Sequence, residues 1–246
     1  MRLSIGPMAP STTTQPLIAP AGPASSASRL AAWTALALAL LLLWDAGSGD
    51  MLVATLAGDG QGFPLRENWA LSRIGHDGMR RLSWAFALGL CAAVWWPWGI
   101  FRRLSRSRRL QLALSTLLLP LAVTLLKWFD PTSCPWDLQA FGGVATHVSH
   151  WSLRSDGGPG RCFPAGHAAS GFAFVPGYFA FRHTDPRLAR RWLATALGVG
   201  LLLGLAQQWR GAHFMSHTLW TGWLCWVLAW ALDAAWRKQP LVEATP

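Results

Sequence analysis

Apolar residues in this chain fall in long runs, not in alternation. Leu30 to Trp44 is almost wholly apolar, and the pattern resumes at Ser83 to Phe101, Leu110 to Lys127, Ala168 to Phe181, Trp192 to Gln208 and Thr218 to Trp236. Each run approaches the roughly 20 residues that carry a helix across a bilayer core. The pattern therefore predicts an all-α bundle of six transmembrane helices. The first run is a little short, and Ala46 and Gly47 extend it. A cleaved leader is the competing reading of that run, but the segment before it is long and no small-x-small cleavage site follows. Between the first two runs, Asp45 to Leu82 is mixed in charge, and Ala70 to Leu82 predicts a surface helix lying on the membrane. Residues 1–28 are rich in Pro, Ser, Thr and Ala without apolar periodicity, which predicts a disordered tail. The folded domain is then expected over 29–238, with a short tail at 239–246.

Composition agrees with a membrane protein. Of 246 residues, 52% are hydrophobic and 13% charged, too few charges for the surface of a soluble domain of this size. Many tryptophans, among them Trp44, Trp84, Trp128, Trp192, Trp209 and Trp236, fall at the ends of apolar runs, where indole rings favour the headgroup layer. A net charge of +10 raises the question of nucleic acid. The basic residues answer it by their placement: Arg102, Arg103, Arg106, Arg108 and Arg109 share one connection, Arg182, Arg187, Arg190 and Arg191 another, and Arg237 and Lys238 follow the last run. With six spans all three blocks lie on one side, and the positive-inside rule makes that side the cytoplasm, with both termini there. The partner expected is the lipid bilayer of a cell inner membrane, with no nucleic acid. Chemistry is expected on the opposite, periplasmic face, which carries the polar loop Trp128 to His167 and the turn Trp209 to His217.

Three places on that face carry candidate chemistry. Lys127 ends the third run; it either snorkels toward the headgroups or neutralises a bound phosphate. Arg161-Cys162-Phe163-Pro164-Ala165-Gly166-His167 is a polar turn running into a helix, with Gly166 allowing close approach of a ligand and His167 in the first helical turn. A helix-capping turn with an interfacial histidine is its simpler reading. In the last turn Arg210 offers a planar fork of donors, His213 an imidazole nucleophile, and His217 a second ring four residues on. His213 and His217 at that spacing also suit a metal, though carboxylate or thiolate partners are not evident. Two imidazoles and two fixed cations are sufficient for phosphomonoester hydrolysis with no metal or other cofactor. One ring attacks phosphorus, the cations stabilise its oxygens and the other ring protonates the leaving oxygen.

In these stretches the chain resembles the membrane-bound type 2 phosphatidic acid phosphatases (PAP2), a family related in fold to vanadium haloperoxidases. The family pattern is Lys-x6-Arg-Pro, then Pro-Ser-Gly-His, then Arg-x5-His-x3-Asp along a six-helix chain. Lys127 with Cys134-Pro135 fits the first motif with cysteine for arginine, and Pro164-Ala165-Gly166-His167 fits the second with alanine for serine. His213 fits the third, where Gln207 stands for the arginine and His217 for the aspartate. The resemblance implies an outward-facing site in which His213 becomes phosphorylated, His167 is the general acid and Lys127 binds phosphate. Arg210 then replaces the third-motif arginine, and Arg161 or Arg154 the first. The function implied is a phosphatase or phosphotransferase acting on a lipid-linked phosphomonoester or diphosphate. The alternative is a catalytically weak relative that binds anionic headgroups or assists a neighbouring membrane enzyme.

Two further expectations concern covalent and close packing. Cys134 and Cys162 share the outward loop whereas Cys91 and Cys225 lie in runs, so a Cys134–Cys162 disulfide is expected in an oxidising compartment, two buried thiols being the other possibility. Gly171 and Gly177 on one run, with Gly198, Gly200 and Gly204 on the next, predict close contact of the last three spans.

Overall fold

The computed structural model describes residues 23–47 and 49–238. Its helices are α1 (Pro23–Ala46), α2 (Gly49–Thr55), α3 (Met79–Ala93), α4 (Arg106–Phe129), α5 (Gly166–Phe172), α6 (Pro176–Phe181), α7 (Pro186–Trp209) and α8 (Met215–Lys238). Among the described residues there is no strand, only two isolated bridges. Three helical stretches, Ala27–Ala46, Arg106–Phe129 and Pro186–Trp209, are long and apolar enough to cross a membrane. α8 matches α4 and α7 in length at 24 residues, but it buries Ser216, His217, Thr218, Thr221 and Asp233, which lower its apolar content.

Several boundaries differ from the apolar pattern for identifiable reasons. α1 opens at Pro23, inside the expected tail; proline's fixed φ suits the first helical position, and alanine follows. The rest of that tail and residues 239–246 lie outside the described residues. Ala70 to Leu82 does not form a separate surface helix: a wide-turned π-helix over Ala70–Gly78 runs directly into α3. The run expected to reach Phe101 leaves the α-helix at Ala93, because Pro97 disfavours helical backbone before it, and Gly99–Arg103 forms a 3₁₀ turn. The Ala168 to Phe181 run is divided into α5 and α6, with Pro176 opening the second piece. Trp192 stabilises the division: its indole Nε1 donates to the Phe174 carbonyl at 2.7 Å.

Missing side chains bring α5, α7 and α8 together. A Cβ on Gly171 would lie 2.4 Å from the Gly200 nitrogen, one on Gly200 would lie 2.3 Å from the Phe172 ring, and one on Gly204 would meet Thr218 Cγ2 at 2.1 Å. Gly177 likewise leaves the space that the Trp192 indole fills. Gly198 differs, for a Cβ there would touch nothing. Four of the five glycines thus sit at contacts where helices in lipid need small residues, and Gly198 does not.

The basic blocks meet at one end of this bundle. Asp233 of α8 is fully buried and accepts from Arg108 of α4 at 2.8 Å, from Arg182 after α6 at 2.9 Å, and from Arg237 one turn on. Gln111 adds a fourth donor at 3.2 Å. A buried carboxylate with this many partners is stable where a lone one is not. Asp233 lies 16 residues beyond His217 on α8, about 24 Å at the helical rise. The arginine end and the histidine end of the molecule are therefore separated by most of a bilayer core's thickness.

Candidate active site

Asp130 organises the loop that carries the site. It caps the C-terminus of α4, three residues after Lys127, and is almost fully buried. Its Oδ1 accepts from Thr132 N and Oγ1, its Oδ2 from Cys162 N at 2.8 Å and Phe163 N at 2.6 Å, and its carbonyl from Arg161 N at 2.8 Å. Aiming three successive N–H groups at one residue bends the backbone, and Arg161 takes a left-handed φ of 59°. A disulfide joins Cys134 to Cys162 with their Cα atoms 5.1 Å apart, tying the residue seven beyond Lys127 to the turn before His167. That turn is pinned to α8 by Ala165 N donating to Thr221 Oγ1 at 2.9 Å.

Three imidazoles converge above it. The rings of His167 at the start of α5 and His213 in the turn before α8 have centres 5.9 Å apart, and His213 and His217 are 5.8 Å apart. His213 and His217 are both buried, at 1% and 2% exposure, and the Cys162 main chain lies against both rings. His213 Nδ1 faces Cys162 Sγ at 3.6 Å, which leaves Nε2 as the nitrogen available to a reacting atom. Burial, then the positive charge of Lys127 and the neighbouring imidazoles, push the His213 pKa well below its ordinary 6.5. At neutral pH the ring is uncharged and holds a free lone pair. Lys127 is close enough for its charge to act on this ring, and Gly166 leaves open space where a side chain would stand.

The arginines are placed differently. Arg210 does not join the imidazoles: its Nε donates to the Arg66 carbonyl at 2.9 Å and its Nη1 to Gln207 Oε1 at 3.2 Å. Arg210 caps the C-terminus of α7 in helical backbone, so its side chain lies over the turn that carries Gln207, and the Trp136 ring lies beside the guanidinium. Arg161 is exposed, as is Arg154, so Lys127 is the fixed cation that the structure brings to His213. Nor do His213 and His217 share a metal-type cluster. Among the described residues the one such group is Cys134, Cys162 and His213, and its two sulfurs are bonded to each other.

Other residues with no motif to mark them complete the surroundings. His150 lies 5.5 Å from His217 between ring centres and stacks on Phe163 at 4.3 Å. Its Nε2 is 3.3 Å from Asp45 Oδ2. Asp50 accepts from Ser216 N at 2.9 Å and from its hydroxyl, fixing the first turn of α8. The local signal available in the sequence was limited to acids directly after the Trp44 run and a His147-x2-His150 pair.

The described residues form an all-helical, membrane-compatible fold with a lysine and paired imidazoles gathered at one end. The family model of the PAP2 superfamily matches residues 108–240, and the chain belongs to that superfamily, whose members are generally phosphatases acting on phosphate esters. Neither curated proteins nor solved structures give a match.

Proposed function

We propose that the protein is a lipid phosphatase or phosphotransferase that forms a phosphohistidine on His213 at the outer face of the membrane. The observation that carries this reading is the His167–His213 pair beside Lys127, with the central ring neutral and its Nε2 free. In that arrangement His213 Nε2 attacks phosphorus, the P–O bond to the lipid breaks, and His167 delivers a proton to the departing oxygen. Lys127 compensates charge on the phosphoryl oxygens. Water, or an acceptor hydroxyl, then attacks the phosphohistidine with His167 now acting as base, which restores both rings.

A lipid substrate is supported by a cavity of about 910 Å³ between α1, α7 and α8, lined almost entirely by apolar side chains such as Leu41, Leu197, Leu201 and Trp223. Trp44 and Gly47 line both this cavity and the polar pocket that reaches His217. A hydrocarbon chain in the first would leave its headgroup beside the second. The six-span topology is supported by the separation of the arginine and histidine ends, with Ala70–Ala93 serving as one span and α5 with α6 as another. Reporter fusions after Gly143 and after Asp185 are expected to localise on opposite sides of the membrane.

The decisive experiment is to incubate purified protein with a ³²P-labelled lipid phosphomonoester, quench it and look for acid-labile label on the chain. Label is expected in the parent, lost in His213→Ala, and accumulated in a variant slowed at the second step. Turnover without any trapped or burst-phase phosphoenzyme, or full turnover by His213→Ala, would overturn the reading.

A further inference from the structure

The disulfide beside His213 has a second chemical state, in which its sulfurs are thiols. Cys162 Sγ lies 3.6 Å from His213 Nδ1, and the two sulfurs and a ring nitrogen of His213 all fall within 4.8 Å of one another. Zinc–sulfur bonds of about 2.3 Å and zinc–nitrogen bonds of about 2.0–2.1 Å, at the tetrahedral angle, put sulfur and nitrogen about 3.5 Å apart. The Cys162–His213 spacing therefore already suits a shared metal. Two thiolates on one zinc stand about 3.8 Å apart, a distance open to these sulfurs only when the bond between them is gone. Bonded to each other they carry no charge for a cation; reduced, they become soft anionic ligands.

Hydrogen bonds that involve no sulfur hold all three ligands in place. Cys162 N donates to Asp130 Oδ2 at 2.8 Å and to the Thr132 carbonyl at 3.0 Å, and Asp137 N donates to the Cys134 carbonyl at 2.9 Å. Trp136 N donates to the Gly211 carbonyl at 2.9 Å, which ties the Cys134 turn to the turn that carries His213. The three residues thus stay together when the bridge is cut. Cys162 and His213 are buried, whereas Cys134 is half-buried, so a reductant meets Cys134 Sγ first. A thiolate of a dithiol bonds to that sulfur and Cys162 leaves as thiolate. The second thiolate of the reductant then displaces Cys134, so the dithiol ends oxidised to a disulfide and both cysteines end reduced.

We propose that the reduced chain binds one zinc ion through Cys134 Sγ, Cys162 Sγ and His213 Nδ1, each thiol releasing its proton to solvent and a water filling the fourth position. The metal takes the lone pair of Nδ1, which leaves the ring's one proton on Nε2. Phosphoryl transfer needs Nε2 unprotonated, so the zinc-bound ring does not attack phosphorus. The disulfide then keeps the nucleophile free of metal. The metal site rests on the geometry of its three ligands alone; its effect on turnover rests on the phosphatase reading.

The test reduces the purified protein under argon with a phosphine, which takes up the oxygen of water, leaves two thiols and is removed before metal is added. Oxidised protein is carried alongside. The reduced parent is expected to take up one zinc per chain in equilibrium dialysis, to melt higher with zinc, and to show thiolate-to-metal charge-transfer absorption and tetrahedral d–d bands with cobalt(II). The oxidised protein should do none of these. His213→Ala should weaken zinc binding by the reduced chain at least as much as the roughly 10–100-fold that follows loss of an outer-shell partner, and should shift the cobalt bands. Replacing Cys91 and Cys225, the other two thiols, by serine should leave stoichiometry and spectrum as they are. Turnover of the reduced parent should fall when zinc is added and return with a chelator. Equal zinc affinity of reduced parent and reduced His213→Ala, equal uptake by oxidised protein, or no protection of the reduced chain against unfolding would overturn the site. An active oxidised protein that takes up no zinc on reduction would overturn the site and leave the phosphatase reading intact. Zinc held by the reduced parent and lost in His213→Ala, in a protein that releases phosphate from no lipid, would do the reverse. Zinc bound with turnover unchanged would overturn the silencing of His213.

Discussion

Cys162 Sγ lies 3.6 Å from His213 Nδ1, so the disulfide that closes the loop also walls one side of the proposed nucleophile. The third-motif aspartate of the family would be expected to hold this ring through a hydrogen bond; here position 217 is histidine, and what flanks His213 is a sulfur and the Cys162 main chain. A neutral flank stabilises an imidazolium less than a carboxylate would. It also leaves the ring less basic and ready as a lone-pair donor.

The bridge between Cys134 and Cys162 is therefore expected to matter for both stability and rate. Their separation of 28 residues corresponds to about 3–4 kcal/mol of loop closure in the chain-entropy treatment. Replacing both by serine should lower the melting temperature in detergent by several degrees and reduce kcat, because His213 and the His167 turn both depend on the position of Cys162. Mass spectrometry without reduction reads the bond directly. A serine pair with parental melting and turnover would sink this role.

Asp130 is expected to act through the same loop. Asp130→Asn keeps the shape but replaces a charge-accepting oxygen by a donor facing either the Thr132 hydroxyl and N–H or the Cys162 and Phe163 N–H groups. Losing hydrogen bonds to a buried charged group costs about 1.5–3 kcal/mol. Stability should fall by that order, and KM and kcat should both worsen as Lys127 and His167 lose their common anchor. Circular dichroism melts and steady-state kinetics on the variant check this, and unchanged values for both would show that the loop is held by the disulfide alone.

How much of this was legible in sequence follows from range. Lys127, His167, His213 and His217 stand at the ends of apolar runs, and run length alone places such ends on a common face. The bonds that make a site of them are not periodic: Asp130 reaches residues 32 and 33 positions away, and Asp45 meets Trp220 across 175 positions. Arg210 misled for a related reason. Its distance from His213 along the chain is short, but its side chain stays with the end of α7 and bonds the Arg66 carbonyl, 144 positions earlier, while the left-handed Gly211 turns the chain between it and His213. The arginine blocks were readable as a shared side, whereas their buried counter-ion Asp233 is a single acid within an apolar run.

The glycine contacts separate into two kinds that substitution should distinguish. Gly171→Ala drives a methyl into the Gly200 backbone, which has no rotamer to yield, so α5 must move from α7 at a cost of about 1–3 kcal/mol or more. Gly198→Ala meets open space within the same α7 and should be neutral or stabilise by up to about 1 kcal/mol. Melting both variants side by side in detergent checks the pairing. Equal stabilisation by the two would mean that helix propensity, not contact, governs these positions.

The pH dependence follows from His213. Its folded pKa is depressed by burial first and then by Lys127 and the other imidazoles, whereas in the unfolded chain it takes the ordinary value near 6.5. As pH falls through 6.5 the unfolded chain binds a proton that the folded ring refuses, so stability is fully present above this range and declines below it. Nucleophilic attack needs the uncharged ring, so the acid limb of kcat/KM should appear below 6.5, at a pH set by the folded value. Lys127→Met removes one of the charges that depress it, and the acid limb should therefore move upward, even as phosphate binding weakens. A profile of log kcat/KM from pH 4 to 8 for parent and variant is the measurement. An acid limb above 6.5 in the parent would place the titrating nucleophile elsewhere, and a limb that moved downward in Lys127→Met would show that the ammonium does not act on His213.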